Sequence, residues 1–402
     1  MAAAHGSTAN VDNVDHVAPV KTSGRLVSLD AFRGFTIASM LLVNNPGDWS
    51  HLYAQLDHAE WAGWTFTDWI FPFFLFIGGI SMSLSLGQRA AAGADKPALL
   101  RQLAKRAVII FLIGFSLNMI PHFDFAVVRL PGVLQRIALC TLLAAPIVLY
   151  FSWQQQCVWI LTLLALYSVV MLKVPVPDLD GVWGAGVLEP GRDAGAYLDR
   201  LLLGGHLWRR VKTWDPEGLL STLPALCSLL FGVLTGHLLA SSAGKIQKTA
   251  WMVLAGLACL IVGSQLDVLL MPIIKSLWTV SYCIFMTGWA LLLFASFYYF
   301  LDGNISPRMQ QRARSLCTPF VIYGMNALFL FALSGLIARM LGLIKIAQPD
   351  ATLLSLQAIL YAPIKNLPIA PVNASLIFAL LFNLAMFCIA WLMWRRRWFV
   401  KV

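Results

Sequence analysis

Apolar runs of about 20 residues, separated by short polar breaks, recur along the chain, and each matches the length a helix needs to cross a bilayer. The ~10-residue alternating strands of a membrane barrel are not the pattern here. The runs predict ten transmembrane helices near 30–47, 68–87, 99–120, 130–151, 157–173, 219–240, 250–270, 277–300, 317–342 and 374–394. The segment 352–372 is also apolar, but Pro363, Lys365, Pro368 and Pro371 interrupt it. Proline removes backbone donors that lipid cannot replace, so this eleventh segment reads as re-entrant or interfacial. The expected fold is all-α and polytopic, with residues 1–24 as a disordered cytoplasmic tail and 25–402 as one transmembrane domain.

Charge orients this arrangement. Arg89, Lys96, Arg101, Lys105 and Arg106 lie between the second and third spans. Lys245 and Lys248 follow the sixth, Arg308, Arg312 and Arg314 follow the eighth, and Arg395, Arg396 and Arg397 follow the last. With ten spans, all of these share one side with Lys21 and Arg25, and an excess of such residues marks the cytoplasm. An eleventh full span would export the terminal arginines. Both termini are therefore expected in the cytoplasm, with the loop around His58 and the long loop 174–218 facing outward.

Composition agrees. Hydrophobic residues make up 59% of the chain and charged residues only 12%, about half the charge of a soluble domain. The net charge of +10 invites a nucleic-acid reading, but the basic residues cluster beside apolar runs as topology signals do. The seven cysteines lie within or beside apolar runs and form no CxxC, which suggests neither disulfides nor a metal site. Residues 1–24 lack the basic start and apolar core of a signal peptide.

Candidate chemistry concentrates between residues 25 and 80. His58 stands in DHAEWAGW, ten residues before Asp68, which opens the second apolar run. A neutral imidazole can take and return a proton near pH 7, and a carboxylate on its other nitrogen fixes the tautomer. Asp57 and Glu60 are alternatives to Asp68 as that partner. The competing reading is an interfacial histidine in an aromatic belt with Trp49, Trp61, Trp64 and Trp69. Asn44 and Asn45 end the first apolar run, where their amides can stabilise an oxyanion or simply cap the helix. Arg33 either pairs with Asp30 three residues earlier or meets a phosphate.

Other polar groups map to the same outer half. Arg136, within LPGVLQRIAL, needs an interior partner or a wet cavity at its depth. Asn118 closes the third span, Asp267 lies near the end of the seventh, and Lys275 opens the eighth. In WDPEGLLST (214–222), Asp215 can N-cap a helix, Pro216 suits its first position and Glu217 complements its dipole. No phosphate loop, dinucleotide fingerprint, HExxH or GxSxG is present in the sequence.

In order along the chain stand RLVSLDAFRGFTI, the asparagine after MLLV, HAEWAGWTFTDWIFPFFLFIGGISM, LPGVLQRIAL, WDPEGLLSTLPA, KSLWTVSY and FVIYGMNALFLF. Together these resemble the transmembrane acyltransferase family of heparan-α-glucosaminide N-acetyltransferase and its bacterial NagX-type relatives. The resemblance implies acetyl transfer from cytosolic acetyl-CoA to the amine of a glucosamine-type sugar across a bacterial inner membrane. It puts the active-site histidine on His58, the following aspartate on Asp68 and the family asparagine on Asn44 or Asn45. On this reading Arg33, Lys105, Arg106 and Arg136 serve the acetyl-CoA, while Asn118, Asp215, Glu217 and Asp267 serve the sugar. Partners are then the amino sugar, acetyl-CoA and the bilayer, and a homodimer is implied. No metal or nucleic acid is called for. A permease for N-acetylglucosamine or related sugars is the rival reading, because a polar intramembrane cluster suits transport as well. O-acylation of an envelope glycan is a third.

Overall fold

The computed structural model describes residues 26–121, 123–348 and 352–400, and over these the chain is mostly helical. Helix α1 (Val27–Asn44) stops where Asn45 leaves helical geometry and its side-chain amide donates to the Leu41 carbonyl at 2.8 Å. A tight turn at Phe66–Trp69 enters α2 (Ile70–Met82), which runs through a widened turn at Ser83–Gly87 into α3 (Gln88–Ala91). Helix α4 (Lys96–Met119) starts on Asp95, whose carboxylate accepts the Ala98 amide, with proline in its first turn. Between α5 (Val133–Tyr150) and α6 (Trp153–Lys173), Ser152 and Gln155 cap each other's backbone reciprocally.

The long loop is partly ordered by the antiparallel pair β1 (Val176–Pro177) and β2 (Trp183–Gly184), and by α7 (Ala194–Leu203). Then come α8 (Thr222–Ala240), α9 (Lys245–Leu269) and α10 (Val280–Asp302), the last capped by Thr279. Helices α11 (Pro307–Met325) and α12 (Ala327–Leu343) meet at Asn326 with a 72° bend. The hairpin β3 (Lys345–Ala347) with β4 (Leu353–Ser355) leads to α13 (Leu356–Lys365) and α14 (Pro371–Arg395).

Every segment expected to span holds a helix. Among the described residues, seven helical stretches are long and apolar enough to cross a membrane, and the bent pair α11–α12 makes up to eight. Helices α1 and α4 are 18 and 24 residues long but are not among these. Asp30 and Arg33 in the first, and Lys96, Arg101, Lys105 and Arg106 in the second, dilute their apolarity. Helix α13 has only ten residues, or about 15 Å against the roughly 30 Å of a bilayer core, so it is too short to cross.

One local expectation is corrected. Asp215, Pro216 and Glu217 do not start a helix, because α8 begins only at Thr222. They form a turn instead, in which the Asp215 carboxylate accepts the Glu217 amide at 2.9 Å and the Gly218 amide donates to the Asp215 carbonyl. The capping chemistry is present, but the carboxylates are drawn to a half-buried arginine described below.

The bundle closes through small residues. A Cβ on Gly79 of α2 would sit 1.9 Å from the Leu229 carbonyl oxygen of α8, and one on Gly232 would sit 2.0 Å from that of Phe76. Small residues let the helix backbones approach closely, the kind of contact that carries packing between membrane helices. Gly34 of α1 and Gly324 of α11 do the same against Phe320 and Asp30. Around these contacts, Phe32, Phe73, Phe76, Phe294, Trp278 and Tyr282 are fully buried. They fix where the starts of α2 and α10 lie, and those two starts frame the site.

Candidate active site

Asp68 is the anchor. It lies at the third position of the turn entering α2, where an ionised carboxylate gains from the helix dipole. One oxygen, Oδ2, accepts the Thr65 amide at 3.0 Å, the Thr65 hydroxyl at 3.1 Å and the Ala59 amide at 3.2 Å. The other, Oδ1, lies 2.7 Å from Nδ1 of His58. The Asp68 main-chain carbonyl takes the Tyr282 hydroxyl of α10 at 2.6 Å, which ties the turn to the bundle. The Asp68 side chain is 1% exposed and that of His58 48% exposed. A buried, fully bonded carboxylate on Nδ1 holds the proton there and leaves Nε2 as the acceptor facing solvent.

Of the tryptophans around His58, Trp61 and Trp69 are half-buried while Trp49 and Trp64 are exposed. Trp61 donates its indole N–H to the Leu188 carbonyl at 2.8 Å and meets Trp214 edge to face, docking the long loop on the His58 loop. Trp64 and Trp289 both stack on Trp69. Of the four tryptophans expected in a belt, Trp49 is the most exposed.

A third charged group joins the pair. The Gly63 amide donates to the Ile273 carbonyl at 2.8 Å, and Ala62 bridges antiparallel to Ile274. Asp267 supports this clasp by accepting the Ile273 amide at 2.6 Å, and Thr279 accepts the Ile274 amide at 3.1 Å. The next residue, Lys275, thereby puts its Nζ 2.8 Å from Nδ1 and 3.0 Å from Nε2 of His58, and 3.4 Å from Oδ1 of Asp68. Burial lowers the Lys275 ammonium below its usual pKa, while Asp68 and Glu217 act in the opposite direction. Nothing in the sequence assigns Lys275 a role. Its one signal was its place at the head of KSLWTVSY, beside a helix start.

Behind these residues lies a second polar group. Arg129, which the sequence pattern did not single out, bonds Asp215 at 2.8 and 2.5 Å and also pairs with Glu217. Burial alone would lower the Arg129 pKa, but the Glu217 and Asp215 carboxylates raise it above its ordinary value. Arg136 is 1% exposed, donates to the carbonyls of Pro216 at 3.1 Å and Gly218 at 2.9 Å and to the Ser221 hydroxyl at 2.5 Å, and lies over the Trp278 ring. These contacts satisfy the interior-partner requirement that its depth imposed. Asp199, also unsuspected, is buried beneath the same turn and accepts the Leu219 amide at 2.8 Å. Burial, reinforced by Asp215, pushes its carboxyl up to about 7 against the pull of that amide.

The remaining candidates are dispersed. Asn45 is buried and spent on its helix cap, whereas Asn44 is exposed at the last residue of α1. Asn118 donates to the carbonyls of Arg129 at 3.0 Å and Pro131 at 3.2 Å, holding the turn that presents Arg129. Arg33 bonds Asp30 at 3.2 Å and the Ser81 hydroxyl at 2.7 Å, in the second turn of α1. Lys105 and Arg106 are exposed on α4, which packs chiefly on α5, while α1 packs chiefly on α11. The structure places Arg136 beside the turn of Asp215, Pro216 and Glu217. Among the described residues, no three His, Cys, Asp or Glu side chains are grouped to hold a metal ion.

A family model described as the catalytic region of heparan-α-glucosaminide N-acetyltransferase matches residues 25–199. That match covers a little under half of the chain. Heparan-α-glucosaminide N-acetyltransferase from Homo sapiens is 29% identical over 361 residues, covering 76% of this chain and 52% of the human protein. The Mus musculus protein is 27% identical over 361 residues, covering 77% and 53%. The chain therefore spans about half the length of the curated relatives it matches. The family region includes His58 and Asp68 and ends before Asp215, Glu217 and Lys275.

Proposed function

We propose that the chain is a transmembrane N-acetyltransferase of the bacterial cytoplasmic membrane. It transfers an acetyl group from cytosolic acetyl-CoA to the amine of a glucosamine-type sugar on the far side. The observation that carries this reading is the pairing of a half-exposed His58 with a buried Asp68 at 2.7 Å inside the family's catalytic region. Relatives named as N-acetyltransferases favour it over sugar permeation. The bilayer topology is ten spans with both termini inside, counting α1, α4 and the bent pair α11–α12 as one crossing each. Residues 25–402 then act as one transmembrane domain.

In this mechanism Asp68 orients the imidazole, and Nε2 of His58 acts in one of two ways. As general base, it takes the proton of the sugar ammonium or amine as nitrogen attacks the thioester carbonyl and the thiolate of CoA leaves. As nucleophile, it first attacks the thioester and expels the CoA thiolate, forming an acetyl-imidazole. The sugar amine then takes the acetyl group, the acyl–imidazole bond breaks and the imidazole leaves carrying the amine's proton. Asn44, exposed at the end of α1, is the better of the two asparagines for the oxyanion, since Asn45 has its amide committed to Leu41. Arg33, Lys105 and Arg106 are the cations assigned to the CoA phosphates. Asp215 and Glu217, held by Arg129 and backed by Arg136, line the acceptor side together with Asn118 and Asp267. Purified protein given labelled acetyl-CoA and glucosamine should release N-acetylglucosamine, and His58→Ala should reduce the rate at least 100-fold. Product formation by the variant at the wild-type rate would remove His58 from the reaction.

A further inference from the structure

The position of Lys275 is unusual for a lysine beside a histidine. Its Nζ is nearly equidistant from Nδ1 and Nε2, at 2.8 and 3.0 Å. In the plane of the ring, such a position would drive the nitrogen into Cε1. The ammonium therefore stands over the ring face, and the in-plane lone pair of Nε2 stays open. Nδ1 already faces Asp68 at 2.7 Å, so its in-plane position is filled without the lysine.

The groups around this cluster come from several elements. Asp68, from the entry to α2, faces both His58 and Lys275. Asp57, on the histidine's own loop, accepts the His58 backbone amide at 2.8 Å, and Glu60 lies two residues on. Glu217 acts on Lys275 from the turn before α8 but is itself paired with Arg129, with Arg136 nearby. Tyr282, from α10, bonds the Asp68 carbonyl rather than its carboxylate. Apart from Lys275, the charges that face this cluster are negative.

We propose that Lys275 is a positioning residue for acetyl transfer: its ammonium balances Asp68 across the His58 ring and keeps the imidazole neutral and able to accept a proton. This rests on the acetyltransferase reading above. Asp68 alone would orient the ring but also favour the imidazolium, which has no lone pair for a base or nucleophile. A cation over the ring face removes that cost without blocking Nε2. The lysine reaches this place only because the Ala62–Gly63 clasp on Ile273–Ile274 sets the register between the two segments.

The test is the pH dependence of kcat/KM for acetyl-CoA-dependent acetylation of glucosamine by wild type, Lys275→Met and Lys275→Arg. Removing a unit charge about 3 Å from the ring at near-aqueous screening corresponds to about one pH unit. The acid limb of Lys275→Met should therefore lie about one unit above wild type, with KM for acetyl-CoA unchanged and kcat at pH 6 reduced about tenfold. Lys275→Arg should keep the wild-type limb. If Lys275→Met folds poorly, Lys275→Cys treated with 2-bromoethylamine restores the charge, and recovery of the wild-type limb in that protein supports the role. A Lys275→Met limb at the wild-type position, in a protein that still acetylates glucosamine, overturns the inference and leaves the acetyltransferase reading standing. Wild-type protein without acetylation activity overturns that reading instead.

Discussion

The Gly63 amide donates to the Ile273 carbonyl at 2.8 Å, and this single backbone bond helps hold the His58 loop against the strand-like segment that carries Lys275. Gly63 has φ +98°, a conformation L side chains rarely adopt, although nothing lies within 4 Å of a Cβ built there. Space is therefore no obstacle, and the backbone conformation decides.

Gly63→Ala should cost about 1–3 kcal/mol of local strain and let the loop move away from Ile273. The expected outcome is a several-fold loss of acetylation rate with little change in melting temperature, because the clasp lies outside the bundle core. Tryptophan-fluorescence melting beside a radiochemical assay checks both halves.

Asp68→Asn tests orientation separately from the presence of the histidine. An amide cannot accept as many bonds as the carboxylate does from Thr65, Ala59 and His58, and its NH2 can hold the imidazole in the wrong tautomer. A loss of roughly 100- to 10,000-fold in kcat, with a smaller change in KM, is expected. Steady-state kinetics over a range of acetyl-CoA concentrations would reveal it.

Arg129 holds two buried carboxylates, so Arg129→Met should be among the most destabilising single changes near the site. Leaving Asp215 and Glu217 unpaired corresponds to about 3–5 kcal/mol. The variant should melt well below wild type in detergent, and Asp215→Asn combined with Glu217→Gln in the same chain should restore part of the loss. A variant as stable as wild type would show that the ion pair has no such role.

Asp199 makes a pH-dependent prediction with a definite sign. Its carboxyl titrates near 7 in the folded chain against an ordinary value of 3.8, so between those limits the folded state retains a proton the unfolded state has released. Stability from this group is complete below about pH 4, falls as pH rises toward 7 and is flat above it. Asp199→Asn keeps an acceptor for the Leu219 amide and has no proton to lose. It should be more stable than wild type by about 2–4 kcal/mol at pH 8, with the gap closing toward pH 4. Melting curves at the two pH values measure the difference.

Much of this protein is determined locally. Apolar run length alone predicts a helix in each of ten places, since a helix satisfies its own backbone in lipid and needs no partner to do so. The prolines of 352–372 mark the segment that stays short. His58 and Asp68 are legible as a pair because only ten residues, ending at a helix entry, separate them. Tertiary structure decided the rest. Lys275 lies 217 residues from His58, and Arg129 lies 86 from Asp215, so neither contact exists until α10 and the long loop pack into place. Packing also overruled a local signal: Asp215 and Glu217 suit a helix start, but two buried carboxylates gain more from Arg129 than from capping orphan amides. Local chemistry sets which segments can cross and which residues can react. The distant charges that tune those residues are chosen by the bundle, because burial makes an unpaired charge too costly to leave alone.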